Sequence, residues 1–267
     1  MQPQDKPYTI SQKILQYIRY LRQAKTRYGI HSPFVYALAD RVPQIGIPYE
    51  IEEKFRLYRK KLLSDKSYIE IRDLGAGSGK FGSSRRRIDR MARYAGSSLR
   101  DMRRLYRLTR YFKPSMILEL GTHLGQGTLA LAFGNPDATI ITVEGSNALA
   151  EYTGLKLAEA GVKNVRLETD SFGDFLHKDN HMYDLIFLDG HHNYEAVKKY
   201  VRILKSRMHD ESLLIIDDIH WSPGMERAWN DIVNDKDFHV TVDLFYAGLV
   251  WKRTVQFKEH FVLRCRK

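Results

Sequence analysis

Along the first hundred residues the apolar positions recur at three- and four-residue spacing. Ile14, Leu15, Ile18 and Leu21, with Lys and Arg between them, predict an amphipathic helix over 11–28. Ser32 as a cap and Pro33 at the first helical position predict a short helix running toward Asp40. Pro43, Gly46 and Pro48 then break the chain, and 51–63 reads as a charged helix. A Gly- and Ser-rich stretch follows over 75–84, and 85–112 reads as one or two basic helices. After Pro114 the pattern changes to short apolar runs separated by helical stretches, the mark of βαβ units and a parallel sheet. Strands are expected at 116–120, 139–143, 165–168, 185–188 and 213–216. Two or three more are expected around 239–245, 249–252 and 261–264, with Ala247 and Gly248 as a tight turn. The expected fold is therefore an α/β, Rossmann-like, open and mostly parallel sheet of about seven strands with helices on both faces. A mainly helical appendage is expected over 1–113 and the sheet domain over 114–267.

With 267 residues and 43% apolar content the chain can bury a substantial core. No run approaches the roughly 18 apolar residues of a membrane span, and the N-terminus lacks the apolar stretch of a secretory signal, so a cytoplasmic protein is expected. The single cysteine, Cys265, excludes an internal disulfide and disfavours a thiolate metal site. The net charge of +11 is uneven: residues 1–113 carry 26 basic against 10 acidic side chains, and the remainder has net charge −5. A basic segment of this kind suits phosphate, nucleic acid or an anionic membrane surface, and equally a solvated helical face.

Two segments compete as a ligand loop. The first, Asp73-Leu74-Gly75-Ala76-Gly77-Ser78-Gly79-Lys80, follows a half-polar run and precedes three arginines. It also fails as a phosphate-binding P-loop, with Leu74 where glycine is needed and Phe81 after Lys80. The second, Glu119-Leu120-Gly121-Thr122-His123-Leu124-Gly125-Gln126-Gly127-Thr128, has an apolar strand before it and a helix after it. Backbone N–H groups and a helix N-terminus can then face a ligand. Gly121, Gly125 and Gly127 also fit the GxxxGxG spacing of short-chain dehydrogenases, and Tyr152 with Lys156 supplies a YxxxK. That pair comes too soon after the loop, on the helix following the second strand, and reads as chance.

The segment from Ile117 to Gly125 resembles motif I of class I methyltransferases, particularly the catechol-type O-methyltransferases. The later strand ends agree in order: Val143-Glu144, Asp170-Ser171, Leu188-Asp189 and Asp217-Asp218. His31-Ser32-Pro33-Phe34, Asp189-Gly190-His191-His192 and the run from Asp217 to Ser222 are similar to an uncharacterised bacterial group of these enzymes. The resemblance, over roughly 115–253, implies S-adenosylmethionine as cofactor. It places Glu119 near the ammonium end, Gly121, Gly125 and the N–H groups near Thr128 at the carboxylate, Glu144 on the ribose, and Asp170 and Ser171 at the adenine. It also implies Asp189, Asp217 and Asp218 as ligands of Mg²⁺, an oxygen-preferring cation that would lower a hydroxyl pKa.

Each of these residues also has a structural reading. The glycines fit any tight strand-to-helix turn, Asp170 and Ser171 commonly cap helices, and Asp217 or Asp218 could cap the helix announced by Ser222-Pro223. His192 stands where the catechol-type enzymes carry a lysine base. Histidine can take that role near neutral pH, with Asp189 as catalytic partner, yet His191, His192 and His220 also read as ordinary loop histidines. Trp221 and Tyr194 are candidate walls of an acceptor pocket, and Trp229 reads as core. The leading expectation is O-methylation of a small molecule, with self-association as a homodimer left open. An RNA methyltransferase using the basic region, or a non-catalytic cofactor-binding or membrane-surface module, is the alternative.

Overall fold

The computed structural model describes residues 3–72 and 83–264; the glycine loop at 75–79 and Cys265 lie outside the described residues. In chain order the helices are α1 (Ile10–Gln23), α2 (Pro33–Arg41), α3 (Tyr49–Ser64), α4 (Ile88–Tyr94), α5 (Leu99–Phe112), α6 (Gln126–Gly134), α7 (Asn147–Glu159), α8 (Phe172–Lys178), α9 (Tyr194–Leu204) and α10 (Pro223–Asn234). The strands are β1 (Tyr68–Arg72), β2 (Ser83–Arg87), β3 (Met116–Leu120), β4 (Thr139–Glu144), β5 (Val165–Thr169), β6 (Tyr183–Leu188), β7 (Met208–Asp217), β8 (Val240–Asp243), β9 (Ala247–Trp251) and β10 (Glu259–Val262). Eight of these strands, β3 to β10, form a mostly parallel sheet with helices around it, as the sequence pattern anticipates. Backbone contacts divide the chain into two compact units, one of residues 45–179 and one of 1–44 with 180–267.

In the unit of 45–179, β4 pairs in parallel with both β3 and β5. Ile117, Leu118 and Leu120 on β3, and Ile140, Ile141 and Val143 on β4, are buried. Such near-continuous apolar runs are what parallel strands covered on both faces require. Phe55 of α3 is fully buried, its ring 6.0 Å from Tyr106 of α5 and 6.4 Å from Phe133 of α6. Two basic helices form in the stretch expected to hold one or two, but they begin at Ile88 and not at Arg85. Arg85 to Arg87 belong to β2, antiparallel to β1, with Glu70 opposite Arg85 and Tyr68 opposite Arg87. Opposite charges across a strand pair favour this pairing, and Ile69 and Ile71 supply its buried positions. The helical residues then split into α4 and α5 because Ser98 and Asp101 make a capping box that starts a new helix.

In the other unit the strand order is β10-β8-β9-β7-β6. The β7–β9 and β8–β9 pairs are antiparallel, and β6–β7 and β10–β8 are parallel. The Ser32 cap and Pro33 start α2 as expected. Helix α1 ends at Gln23, short of the expected 28, because Lys25 leaves the helix to make a parallel bridge with Leu263. Ala247 and Gly248 are strand residues and not a turn; the reversal lies before them, at Phe245 with φ 72°. Gly248 is required by packing, since a Cβ there would fall 2.4 Å from the buried Trp229 ring.

Candidate functional site

In the 45–179 unit, β3 runs into a bend whose backbone turns on glycine. Gly121 has φ 114° and Gly125 φ 72°, and His123 between them also sits at positive φ, 48°. The Gly121 N–H donates to the Val143 carbonyl at 3.0 Å, tying the bend to the end of β4. At Gly125 a side chain is excluded twice over. A Cβ would lie 2.7 Å from the Tyr58 hydroxyl and 2.8 Å from Thr153 Cγ2, and the positive φ strains any L residue. Tyr58 donates to the Leu124 carbonyl (2.9 Å) and Thr153 to the His123 carbonyl (2.6 Å), so the bend is clamped from α3 and α7. Helix α6 starts directly on Gly125 with no side-chain cap, which leaves first-turn N–H groups open to an anionic ligand.

Two acids flank this bend. Glu119, only 1% exposed, accepts from Thr142 at 2.6 Å and from Thr128 through the same carboxylate oxygen. Thr128 therefore orients Glu119 with its side chain. Glu144 accepts the His123 N–H at 2.9 Å on one oxygen and the Ser146 N–H at 3.0 Å on the other. Glu119 is opposite Thr142 in the β3–β4 register, so Glu119 and Glu144 share a sheet face. One strand spacing and two residues of rise separate their backbones by roughly 8 Å.

Beyond β5, Asp170 accepts the Ser171 N–H and pairs with Lys178 at 2.7 Å, while Ser171 caps α8 by accepting the Asp174 N–H. The YxxxK pair has structural partners: Tyr152 donates to Asp65 at 2.8 Å, and Lys156 pairs with Glu159. Burial and the Asp65 carboxylate push the Tyr152 phenol far above its ordinary range, the reverse of a catalytic base. Sequence reasoning missed His123. Burial, helped by the Arg86 cation, pushes its pKa down to about 4, so the imidazole is neutral near pH 7. Its one sequence signal is position, a bulky residue between two required glycines.

In the other unit the remaining candidates lie at the ends of β6 and β7. Asp189 follows β6, and its carboxylate lies 3.7 Å from His192 Nε2, both side chains partly exposed. The His192 ring is 6.3 Å from Trp221. His191 shares a hydrogen bond with the Tyr200 hydroxyl at 2.9 Å. Asp217 closes β7 opposite Ala247, and Asp218, at φ 54°, donates its N–H to the Tyr246 carbonyl. Neither acid caps α10, a role filled by Ser222.

His220 was read from sequence as an ordinary loop histidine, and the structure gives it a larger part. Its Nδ1 meets Glu226 at 3.0 Å, its Nε2 meets Asp243 at 2.8 Å, and its ring stacks on Phe245 at 5.1 Å. Burial opposes the charge, but the two carboxylates outweigh it and push its pKa up to about 9. Tyr8 donates to the other Glu226 oxygen at 2.7 Å and is itself pushed up to about 12 by burial and that carboxylate.

The family described as a methyltransferase domain matches residues 118–219, from β3 to just past β7. Solved structures resemble the chain over a wider span. A methyltransferase from Podospora anserina bound to SAH shares 19% identity with a TM-score of 0.58, covering 84% of this chain and 99% of that one. An O-methyltransferase from Bacillus cereus in complex with SAH shares 17% (TM-score 0.54, 81% and 97% covered). A putative O-methyltransferase from Klebsiella pneumoniae shares 15% (TM-score 0.53, 79% and 93%). At these identities the likeness establishes the fold. No curated protein sequence matches the chain.

The 45–179 unit offers what a sulfonium amino acid would need: a bend only glycine can make, an uncapped helix start, and two oriented acids on one sheet face. A metal is a different matter. Among the described residues no group of three or more His, Cys, Asp or Glu side chains is arranged to hold an ion, so the expected Mg²⁺ set of Asp189, Asp217 and Asp218 is not assembled. The physical reason is local. Asp218 is turned into a left-handed backbone position and tied to Tyr246, and Asp189 has His192 beside it.

Proposed function

We infer that the protein is an S-adenosylmethionine-dependent O-methyltransferase acting on a small-molecule acceptor. The observation that carries this reading is the placement of Glu119 and Glu144 on one sheet face beside the Gly121 and Gly125 bend. Gly121 and Gly125 allow the backbone to approach the cofactor, and the N–H groups at the start of α6 receive its carboxylate. Glu119, set by Thr128 and Thr142, receives the ammonium, and Glu144 the ribose hydroxyls. Asp170 and Ser171 stand at the adenine end. When bound, the cofactor supplies a methyl group on a sulfonium, with a neutral thioether as the leaving group. His192 takes the acceptor hydroxyl proton at Nδ1, while Nε2 faces Asp189, whose carboxylate stabilises the imidazolium that forms. No step is assigned to a metal. As a division of labour, residues 1–113 serve as the acceptor-side appendage and 114–267 as the catalytic domain.

An RNA acceptor remains the second reading, resting on the basic appendage. Many of its cations have internal partners: Arg27 with Asp40, Arg56 and Arg103 with Glu52, Arg104 with Asp101, and Arg107 with the Ile45 carbonyl. Those pairs favour the small-molecule reading, and nucleic-acid retention falling steeply with salt would reverse that preference. The deciding experiment is calorimetric titration with S-adenosylhomocysteine. Glu144→Ala should weaken binding about tenfold to a hundredfold, the range for lost hydrogen bonds to a charged group. Affinity within about twofold of wild type would remove Glu144 from the ribose.

A further inference from the structure

Helix α1 is built the wrong way round for a helix that only supports its own chain. Its inward face is aromatic and polar. Tyr20 is buried and donates to the Leu263 carbonyl, Tyr17 and Tyr20 pack on Phe245 at 4.9 and 5.2 Å, and Gln16 reaches Tyr8 and Glu226. The apolar stripe points outward instead, with Ile10 80%, Ile14 56% and Ile18 41% exposed. At about 100° per residue, Ile10, Leu21, Ile14 and Ile18 fall within an arc of roughly 80°, with Tyr17 at its inward edge against Phe245. Lys13 borders that arc on one side and Arg22 on the other.

The helix is nonetheless firmly ordered. Thr9 and Gln12 make a capping box at its start, and Tyr8 anchors it through the Glu226 carboxylate and the Trp221 carbonyl. No segment of the described chain covers the stripe. Charge decides what would cover it. Residues 6–28 contain six cations and no acid, and Arg19 and Arg22 make no ion pair among the described residues. A second copy placed face to face would bring the same cations together with nothing to neutralise them. An anionic lipid surface offers the opposite charge over a plane and an apolar layer beneath it. The helix, 14 residues and about 21 Å long, is too short to cross a bilayer core of roughly 30 Å, and among the described residues no helix is long and apolar enough to do so.

We propose that α1 is a membrane-surface anchor that lies in the plane of an anionic bilayer, with Ile10, Ile14 and Ile18 in the acyl boundary and Arg19 and Arg22 at the headgroups. The anchor stands independently of the methyl-transfer reading, and its test does not use turnover. The purified full chain is sedimented with vesicles of phosphatidylcholine alone and of phosphatidylcholine with about 30 mol% phosphatidylglycerol. The anionic vesicles should retain it at least roughly tenfold better, with retention falling as salt rises. Ile14→Ser with Ile18→Ser should abolish most of that retention, and Arg19→Gln with Arg22→Gln should lower it roughly tenfold or more. Both variants should keep the wild-type unfolding transition, because the altered side chains lie on the exposed face; if the Ile variant does not fold, the Arg variant decides. Absence of retention on anionic vesicles, variants that bind like wild type, or a dimer in light scattering that the Ile substitutions dissociate would each overturn the proposal.

Discussion

Replacing Gly125 with alanine puts the central geometric claim under direct strain. An L residue held at φ 72° costs about 1–2 kcal/mol. The new methyl would also sit 2.7 Å from the Tyr58 hydroxyl and 2.8 Å from Thr153 Cγ2, and forced overpacking of this kind costs about 1–3 kcal/mol. The sum, about 2–5 kcal/mol, should appear as a lowered urea midpoint with little change in slope. Gly154→Ala is the internal control. It lies in the interior of α7 with no atom within 4 Å of its would-be Cβ, so the same methyl there should stabilise by about 0.5–1 kcal/mol. Adding Tyr58→Phe to Gly125→Ala removes the nearest clashing atom. The double variant should therefore be less destabilised than the two single changes added together, by roughly 0.5–3 kcal/mol of coupling. Calorimetry with S-adenosylhomocysteine on the same proteins reads the functional side, where Gly125→Ala should bind weakly or not at all. Stability within about 0.5 kcal/mol of wild type together with unchanged affinity would refute the close-approach argument.

Three further outcomes follow from the same structure. His220, raised to about 9 by Asp243 and Glu226, binds its proton more tightly folded than unfolded. Its stabilisation, on the order of 3 kcal/mol, is therefore fully present below about pH 6.5 and lost as pH rises through 9. Urea curves from pH 6 to 10 should show that loss, and Asp243→Asn should flatten the profile; an unchanged slope in the variant would dismiss the pair. Phe55→Ala, which empties a fully buried site against Tyr106 and Phe133, should cost about 3–5 kcal/mol in the same assay, and a cost below about 1 kcal/mol would mean that α3 does not pack as described. Because no group of three or more His, Cys, Asp or Glu side chains among the described residues is arranged to hold an ion, methyl transfer to an acceptor should survive chelation, and activity lost with EDTA and restored by Mg²⁺ would reinstate the metal.

What could be read from sequence, and what could not, divides by the range of the interactions involved. The strands β3, β4, β6 and β7 were legible because they are covered on both faces and carry short, mostly apolar buried runs, a signal contained in a few consecutive residues. The bend was legible for a similar reason: glycine before a helix leaves few backbone options, and Gly121 and Gly125 take up those options. The β1–β2 hairpin was not, since a strand containing Arg85, Arg86 and Arg87 makes sense only when Glu70 is known to lie across from it. Gly248 failed for the same reason, being selected by a ring 19 positions earlier in the chain and not by the turn beside it.

The candidate site shows the same division within single residues. Glu119 and Glu144 announced themselves by standing at strand ends. What holds them, Thr142 and the His123 and Ser146 N–H groups, depends on the register of β3 against β4. His220 carried little local sign, because its charge depends on Glu226 together with Asp243, which reaches it across 23 residues of chain. Sequence patterns thus nominate the groups that would touch a ligand, whereas the groups that set the charge and direction of those groups emerge only from the fold. Second-site changes at Thr142, Tyr58 and Asp243 therefore test the site as severely as changes to the acids themselves. Each removes a distant cause while leaving the nominated residue in place.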